Sequence, residues 1–155
     1  MGSDHDWETG EGLLHIDDPA AVDAAFERGE SHLGTAVIGL AFTRPLAEAS
    51  PRILRAMRLP DPDQRGFAFT AAGVAARLHG ELTPELYAAL HAEGPGGVAE
   101  TAIDDTLTFV PFGKLPWWFK WRWLMTGVRD TVQGWWLRTA DAVGEAWRAV
   151  RRRRS

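Results

Sequence analysis

Acidic side chains in the second half of the chain are candidates for binding a metal ion. Glu100 and Asp104 are four residues apart, with Asp105 beside them, so a helix would place carboxylates on one face. Oxygen ligands of this kind suit Mg²⁺ or Ca²⁺. No further ligand pattern completes the set, and three carboxylates on a helix are typical of a solvated face. We therefore expect no metal site and no cofactor.

The histidines and serines offer little for acid–base or nucleophilic catalysis. His79 and His91 each lie in the last turn of a predicted helix, where a cation favours the helix dipole. Ser31 stands between Glu30 and His32, but neighbours along a helix point in different directions, so we interpret Ser31 as an N-cap. The catalytic residues are unknown, and the sequence favours a function without catalysis.

A tryptophan-rich segment, residues 116–155, is the most unusual feature of the sequence and holds seven of the eight tryptophans. Trp117, Trp121, Leu124 and Val128 begin a series of apolar residues spaced three or four apart, which predicts one inward face of a long amphipathic helix. Several indoles do not share that face. The residues that we expect to bind a partner or a membrane are Trp117, Trp118, Trp121, Arg122, Trp123, Trp135, Trp136 and Trp147.

Three fates remain open for the tryptophans outside that face, Trp118, Trp123, Trp136 and Trp147. They could lie in a groove of the chain's own acidic body, form a homodimer or another protein interface, or lie on a membrane surface. The stretch PWWFKWRW resembles the Trp/Arg-rich antimicrobial peptides of the indolicidin type, over eight residues. The net acidity of the chain and the lack of any nucleic-acid-binding motif disfavour nucleic acid as a partner.

Charge divides the chain into an acidic and a basic part. Residues 1–110 carry 18 acidic and 7 basic side chains, a net charge of −11, whereas residues 111–155 carry a net charge of +7. The chain contains no cysteine, which excludes disulfides and thiolate metal sites. The abundance of arginine and the absence of asparagine suggest a GC-rich bacterial genome. We expect a cytoplasmic protein that could contact the inner face of the membrane through its basic part.

Four pairs of a capping residue and a proline predict helix starts, since the side chain accepts an N–H and proline has none to lose. These pairs are Asp18-Pro19, Ser50-Pro51, Asp61-Pro62 and Thr83-Pro84. The glycines Gly29, Gly80 and Gly94 predict helix ends. Residues 31–43 and 65–78 are expected at the centre of the core, the latter through a stripe that runs from Phe67 to Leu78.

These patterns together predict an all-α protein, a single-domain bundle of six to eight helices with a long Trp/Arg-rich C-terminal amphipathic helix. We expect a flexible acidic leader at residues 1–12 and a helical body at residues 13–110. A hinge at residues 111–116 then leads to the C-terminal helix and basic tail at residues 117–155. The predicted function is a non-catalytic interaction or assembly module whose helical face contacts itself, a protein partner or a membrane surface.

One short stretch keeps an alternative function open. RGFAFTAAGVAARL, residues 65–78, is similar to a segment of a family of uncharacterised proteins encoded beside enediyne polyketide synthases, although the acidic residue expected at Thr70 is missing. The resemblance implies an apolar-ligand-binding protein or a small biosynthetic enzyme of bacterial natural-product metabolism. Its small-residue helix and the tryptophans would then border an apolar pocket.

Overall fold

The computed structural model describes residues 5–127, and these residues are all α, as predicted, with seven α-helices and no strand. The chain divides into two compact units, Met1–Pro116 and Trp117–Ser155. The helices are α1 (Pro19–Arg28), α2 (Leu33–Thr43), α3 (Leu46–Ala56), α4 (Pro62–His79), α5 (Pro84–Glu93), α6 (Glu100–Phe109) and α7 (residues 117–127). Short 3₁₀ turns lie at Leu13–His15 and Phe112–Lys114.

Three of the four predicted helix starts are confirmed. The carboxylate of Asp18 accepts a hydrogen bond from the backbone of Ala20 at the start of α1. Asp61 does the same for the first turn of α4, and the Thr83 hydroxyl accepts from the Leu86 amide in α5. In each case proline occupies the first helical position, where its missing N–H leaves no hydrogen bond unmade. The predicted ends at Gly29, Gly80 and Gly94 are also confirmed.

The helix start predicted at Ser50-Pro51 is wrong. Helix α3 begins one turn earlier, at Leu46, and Pro51 lies inside it. The Ser50 side chain is 3% exposed and its hydroxyl lies 2.8 Å from the Thr83 hydroxyl, so it joins two helices instead of capping one. A local pattern cannot distinguish a cap from a buried serine whose hydroxyl bonds to a distant residue.

The N-cap predicted at Ser31 is also wrong, because α2 begins at Leu33 after a left-handed residue, His32, at φ 57°. The side-chain oxygen of Gln64 in α4 accepts from the amides of Gly34 at 2.8 Å and Thr35 at 3.3 Å. The side-chain amide of a neighbouring helix thus accepts from N–H groups at the start of α2 that have no acceptor within their own helix.

Helices α2 and α4 form the centre of the core, as predicted, and α6 packs against α4. A Cβ atom added at Gly34 would overlap the backbone carbonyl of Gln64, and one at Gly73 would lie 3.2 Å from the Ala102 Cα atom. Small residues therefore bring α4 close to both neighbours. The predicted stripe of α4 is wrong at its ends, because Phe67 and Leu78 are 42% and 52% exposed. The side chains of α4 that are buried are Ala68, Phe69, Ala71, Ala72, Ala75 and Ala76.

Residues 5–12 form a hydrogen-bonded turn on the helical body. The carboxylate of Asp6 accepts from the Thr9 hydroxyl and from the amides of Glu8 and Thr9. These bonds, the one to the Thr9 hydroxyl first, lower the pKa of Asp6 below its ordinary value. The Trp7 carbonyl oxygen lies 3.2 Å from Nδ1 of His32, which connects the turn to the start of α2.

Candidate interaction surface

Helix α7 carries the described part of the tryptophan-rich segment. It begins directly after Pro116 and is described to residue 127. Within residues 5–127, no helix combines the length and the apolar character needed to cross a bilayer. Three of the expected site residues, Trp135, Trp136 and Trp147, lie outside the described residues.

One side of α7 is an exposed apolar surface, which we call the indole face and define as Trp117, Trp121, Leu124 and Met125. Trp117 is 76% exposed and Trp121 is 52% exposed, while Leu124 and Met125 are 46% and 48% exposed. At about 100° per residue, these four side chains fall within an arc of about 100° around the helix. The indole face is therefore continuous along about two and a half turns of α7.

The two indoles of this face contact each other. The ring centroids of Trp117 and Trp121 are 6.3 Å apart, with the ring planes tilted by 32°. Residues four apart on a helix are neighbours, and this separation lies within the range of favourable aromatic pairs. The pair forms one aromatic surface that remains open to solvent.

The predicted inward orientation of Trp117, Trp121 and Leu124 is wrong for the described residues. The buried side chain of α7 is Phe119, which is 1% exposed and lies about 160° around the helix from Trp117. The reason is that aromatic residues occupy several sides of this helix, so apolar spacing identifies more than one stripe. Spacing alone cannot decide which stripe is buried.

The two other indoles described in α7, those of Trp118 and Trp123, differ in how exposed they are. Trp118 is half-buried, and its ring meets Phe119 edge-on with the centroids 4.8 Å apart. Trp123 is 45% exposed. Of the tryptophans expected to need a partner, the two that are described, Trp118 and Trp123, are thus less exposed than Trp117 and Trp121. Met125 joins the surface although the sequence analysis did not single it out.

Positive charge borders the indole face on both sides. By helical geometry Lys120 lies about 40° beyond Leu124, and Arg122 lies about 60° beyond Met125. Both residues are half-buried, and Nε of Arg122 is enclosed without a hydrogen-bond acceptor. Residues 106–129 contain no aspartate or glutamate.

The acidic residues considered for a metal site have other positions. Asp105 forms an ion pair of 2.9 Å with Arg77 of α4, while Glu100 and Asp104 are exposed. Among residues 5–127, no three histidine or acidic side chains are arranged to hold a metal ion. His79 lies in the last turn of α4, where the sequence analysis placed it. His91 likewise lies in the last turn of α5.

An open cleft of about 480 Å³ lies where the end of α1 meets the starts of α2 and α4. Its lining residues are Gly29, Glu30, Ser31, His32, Leu33, Leu59, Pro60, Asp61 and Gln64. The polar groups there have structural partners: Glu30 pairs with Arg28, and Asp61 and Gln64 cap helices. None of the described hydrogen bonds joins Ser31 to His32, so the cleft holds no nucleophile paired with a base.

The apolar pocket implied by the alternative function stays a prediction. Of the elements expected to border it, the small-residue helix α4 has its packed face at residues such as Phe69, which is 3% exposed, whereas Trp121 is on the indole face. Comparisons with protein-family models, curated proteins and solved structures found no significant match to this chain.

Proposed function

We propose that the chain is a non-catalytic interaction or assembly module that docks through the Trp/Arg-rich face of its C-terminal helix. The observation that carries this proposal is the exposed contact pair of Trp117 and Trp121. Covering a large apolar side chain contributes about 1.5–3 kcal/mol, so two adjacent indoles would supply a substantial part of a binding energy.

The composition around the pair also favours docking. Tryptophan and arginine are enriched among the residues that dominate interface energies, and a helix presents such anchors at spacings of three and four. Trp117, Trp121 and Leu124 have this spacing, with Arg122 beside them. The three apolar side chains of this set are all exposed in the described residues.

The open cleft does not favour the apolar-ligand alternative. Its lining includes Glu30, His32, Asp61 and Gln64, and its polar side chains already stabilise helix ends. An apolar ligand there would cover charged groups without giving them partners, which costs free energy.

The test compares two double variants of the full chain. Trp117→Ser with Trp121→Ser removes the indole pair, while Phe42→Ser with Leu78→Ser removes two side chains that are 56% and 52% exposed elsewhere. Sedimentation velocity over a range of concentrations measures self-association, and sedimentation with lipid vesicles measures membrane binding. We expect the first variant to lose an association that the second retains. Equal behaviour of both variants and the parent chain in both assays would disprove the proposal.

A further inference from the structure

We infer that the partner of the indole face is an anionic lipid surface, on which α7 lies parallel to the membrane plane. This inference rests on the proposed docking function and specifies its partner. It depends on the shape of the indole face and on the cations that border it.

The arrangement of apolar and charged groups matches that of an interfacial helix. Such a helix places one apolar side at the boundary between headgroups and acyl chains and keeps cations at its edges, level with the lipid phosphates. In α7 the indole face spans about 100°, with Lys120 beyond one edge and Arg122 beyond the other. Indole rings also favour this depth, because one end of the ring is apolar and the other carries a polar N–H.

Arg122 is one of the two cations beside the indole face, and it is half-buried. None of the ion pairs of residues 5–127 includes it, and its Nε has no hydrogen-bond acceptor. Guanidinium groups bind phosphate oxygens strongly and with defined geometry. Because Nε is enclosed and out of reach of an external ligand, a phosphodiester headgroup beside the indole face would accept hydrogen bonds from the terminal guanidinium nitrogens of Arg122.

A second copy of the chain fits this surface less well. A symmetric dimer brings the same patch of two copies together, so Lys120 and Arg122 of one copy would approach those of the other. No acidic residue between positions 106 and 129 would offset this repulsion. An anionic surface has no such cost.

The acidic residues of the chain do not rule out binding to anionic lipid. Residues 1–110 carry a net charge of −11, which anionic lipid repels at short range. At physiological salt, interactions between exposed charges are screened beyond about 8 Å. The local positive charge of α7 can therefore decide the contact, provided that the acidic groups remain further than this from the lipid.

The absence of cysteine allows a site-specific test. Met125→Cys places one thiol on the indole face for an environment-sensitive fluorophore, and Phe42→Cys places the control label on α2. Vesicles of phosphatidylcholine alone are compared with vesicles that contain equal parts of phosphatidylglycerol. We expect a blue shift at position 125 with the anionic vesicles and none at position 42.

Variants then assign the binding to individual residues. In the Met125→Cys chain, adding Trp117→Ser and Trp121→Ser should weaken vesicle binding more than tenfold, and Arg122→Gln should weaken it about fivefold. Arg122→Lys keeps the charge and should restore most of that loss. Raising the salt concentration should weaken binding to the anionic vesicles.

Several outcomes would overturn the inference. Equal binding to neutral vesicles would exclude recognition of anionic lipid, and a label that is already blue-shifted without vesicles would show that the chain covers its own indole face. No response to vesicles, together with self-association that needs Trp117 and Trp121, would overturn the membrane partner and leave the docking function standing. No response and no such association would overturn both.

Discussion

Gly34 of α2 lies directly against the backbone of Gln64 in α4, so closely that a Cβ atom at Gly34 would overlap the Gln64 carbonyl group. The same pair is joined by a 2.8 Å hydrogen bond from the Gly34 amide to the Gln64 side chain. This contact determines how near the two central helices approach.

Gly34→Ala should therefore destabilise the fold. The added methyl group meets backbone that cannot rotate away, and overpacking of this kind costs about 1–3 kcal/mol. Urea unfolding followed by circular dichroism measures the loss. Gly66→Ala in α4 is the matched control because nothing lies within 4 Å of its added Cβ atom. This control should be neutral or gain about 0.5–1 kcal/mol, and similar losses in both variants would disprove the close approach at Gly34.

A second prediction concerns the cap of α2. Gln64→Ala removes the acceptor of the Gly34 and Thr35 amides and should lower the free energy of unfolding by about 1 kcal/mol. Ser31→Ala should change it by less than about 0.5 kcal/mol, since Ser31 is exposed and does not cap the helix. Thermal or urea unfolding of the two variants makes the comparison. A larger loss for Ser31→Ala would mean that α2 starts where the sequence alone placed it.

These residues show how far the sequence could predict the fold. Asp18, Asp61 and Thr83 cap helices through atoms two or three residues away, so their pattern is local and could be identified without a structure. Gln64 caps α2 from 30 residues away, and Ser50 bonds to Thr83 across 33 residues. No local pattern contains such partners, which is why both starts predicted from serine were wrong.

The candidate surface was predictable in its residue types but not in its orientation. The sequence identified Trp117, Trp121 and Leu124 as one face of a helix, and α7 places them on one face. It could not tell whether that face or the opposite one, which carries Phe119, would be buried, because both are apolar. Burial depends on what else contacts the helix, and spacing within the helix does not contain that information.

Tyr87 allows a prediction about pH because it is the only tyrosine of the chain. Burial raises the pKa of its phenol, and the hydrogen bond from the Leu82 amide opposes this rise. The neutral phenol is thus favoured in the folded state. Its contribution to stability is complete below the pKa of the unfolded chain and is lost as the pH rises through the folded pKa.

The absorbance of tyrosinate in the near ultraviolet measures this ionisation directly. The folded chain should titrate at a higher pH than the same chain in denaturant, which serves as the control. Unfolding followed by circular dichroism should show a falling midpoint over the same alkaline range. Identical titrations of the folded and denatured chains would mean that Tyr87 is open to solvent and that the start of α5 is not packed as described.

The orientation of α7 gives the last prediction, which tests the surface without any partner. Phe119→Ala removes a side chain that is 1% exposed and should lower the free energy of unfolding by about 3–5 kcal/mol. Trp117→Ala removes a larger side chain that is 76% exposed and should change it by less than about 0.5 kcal/mol. Urea unfolding followed by circular dichroism compares the two variants without relying on indole fluorescence. If Trp117→Ala cost as much as Phe119→Ala, the indole pair would be part of the core, and the exposed face on which the docking function depends would not exist in solution.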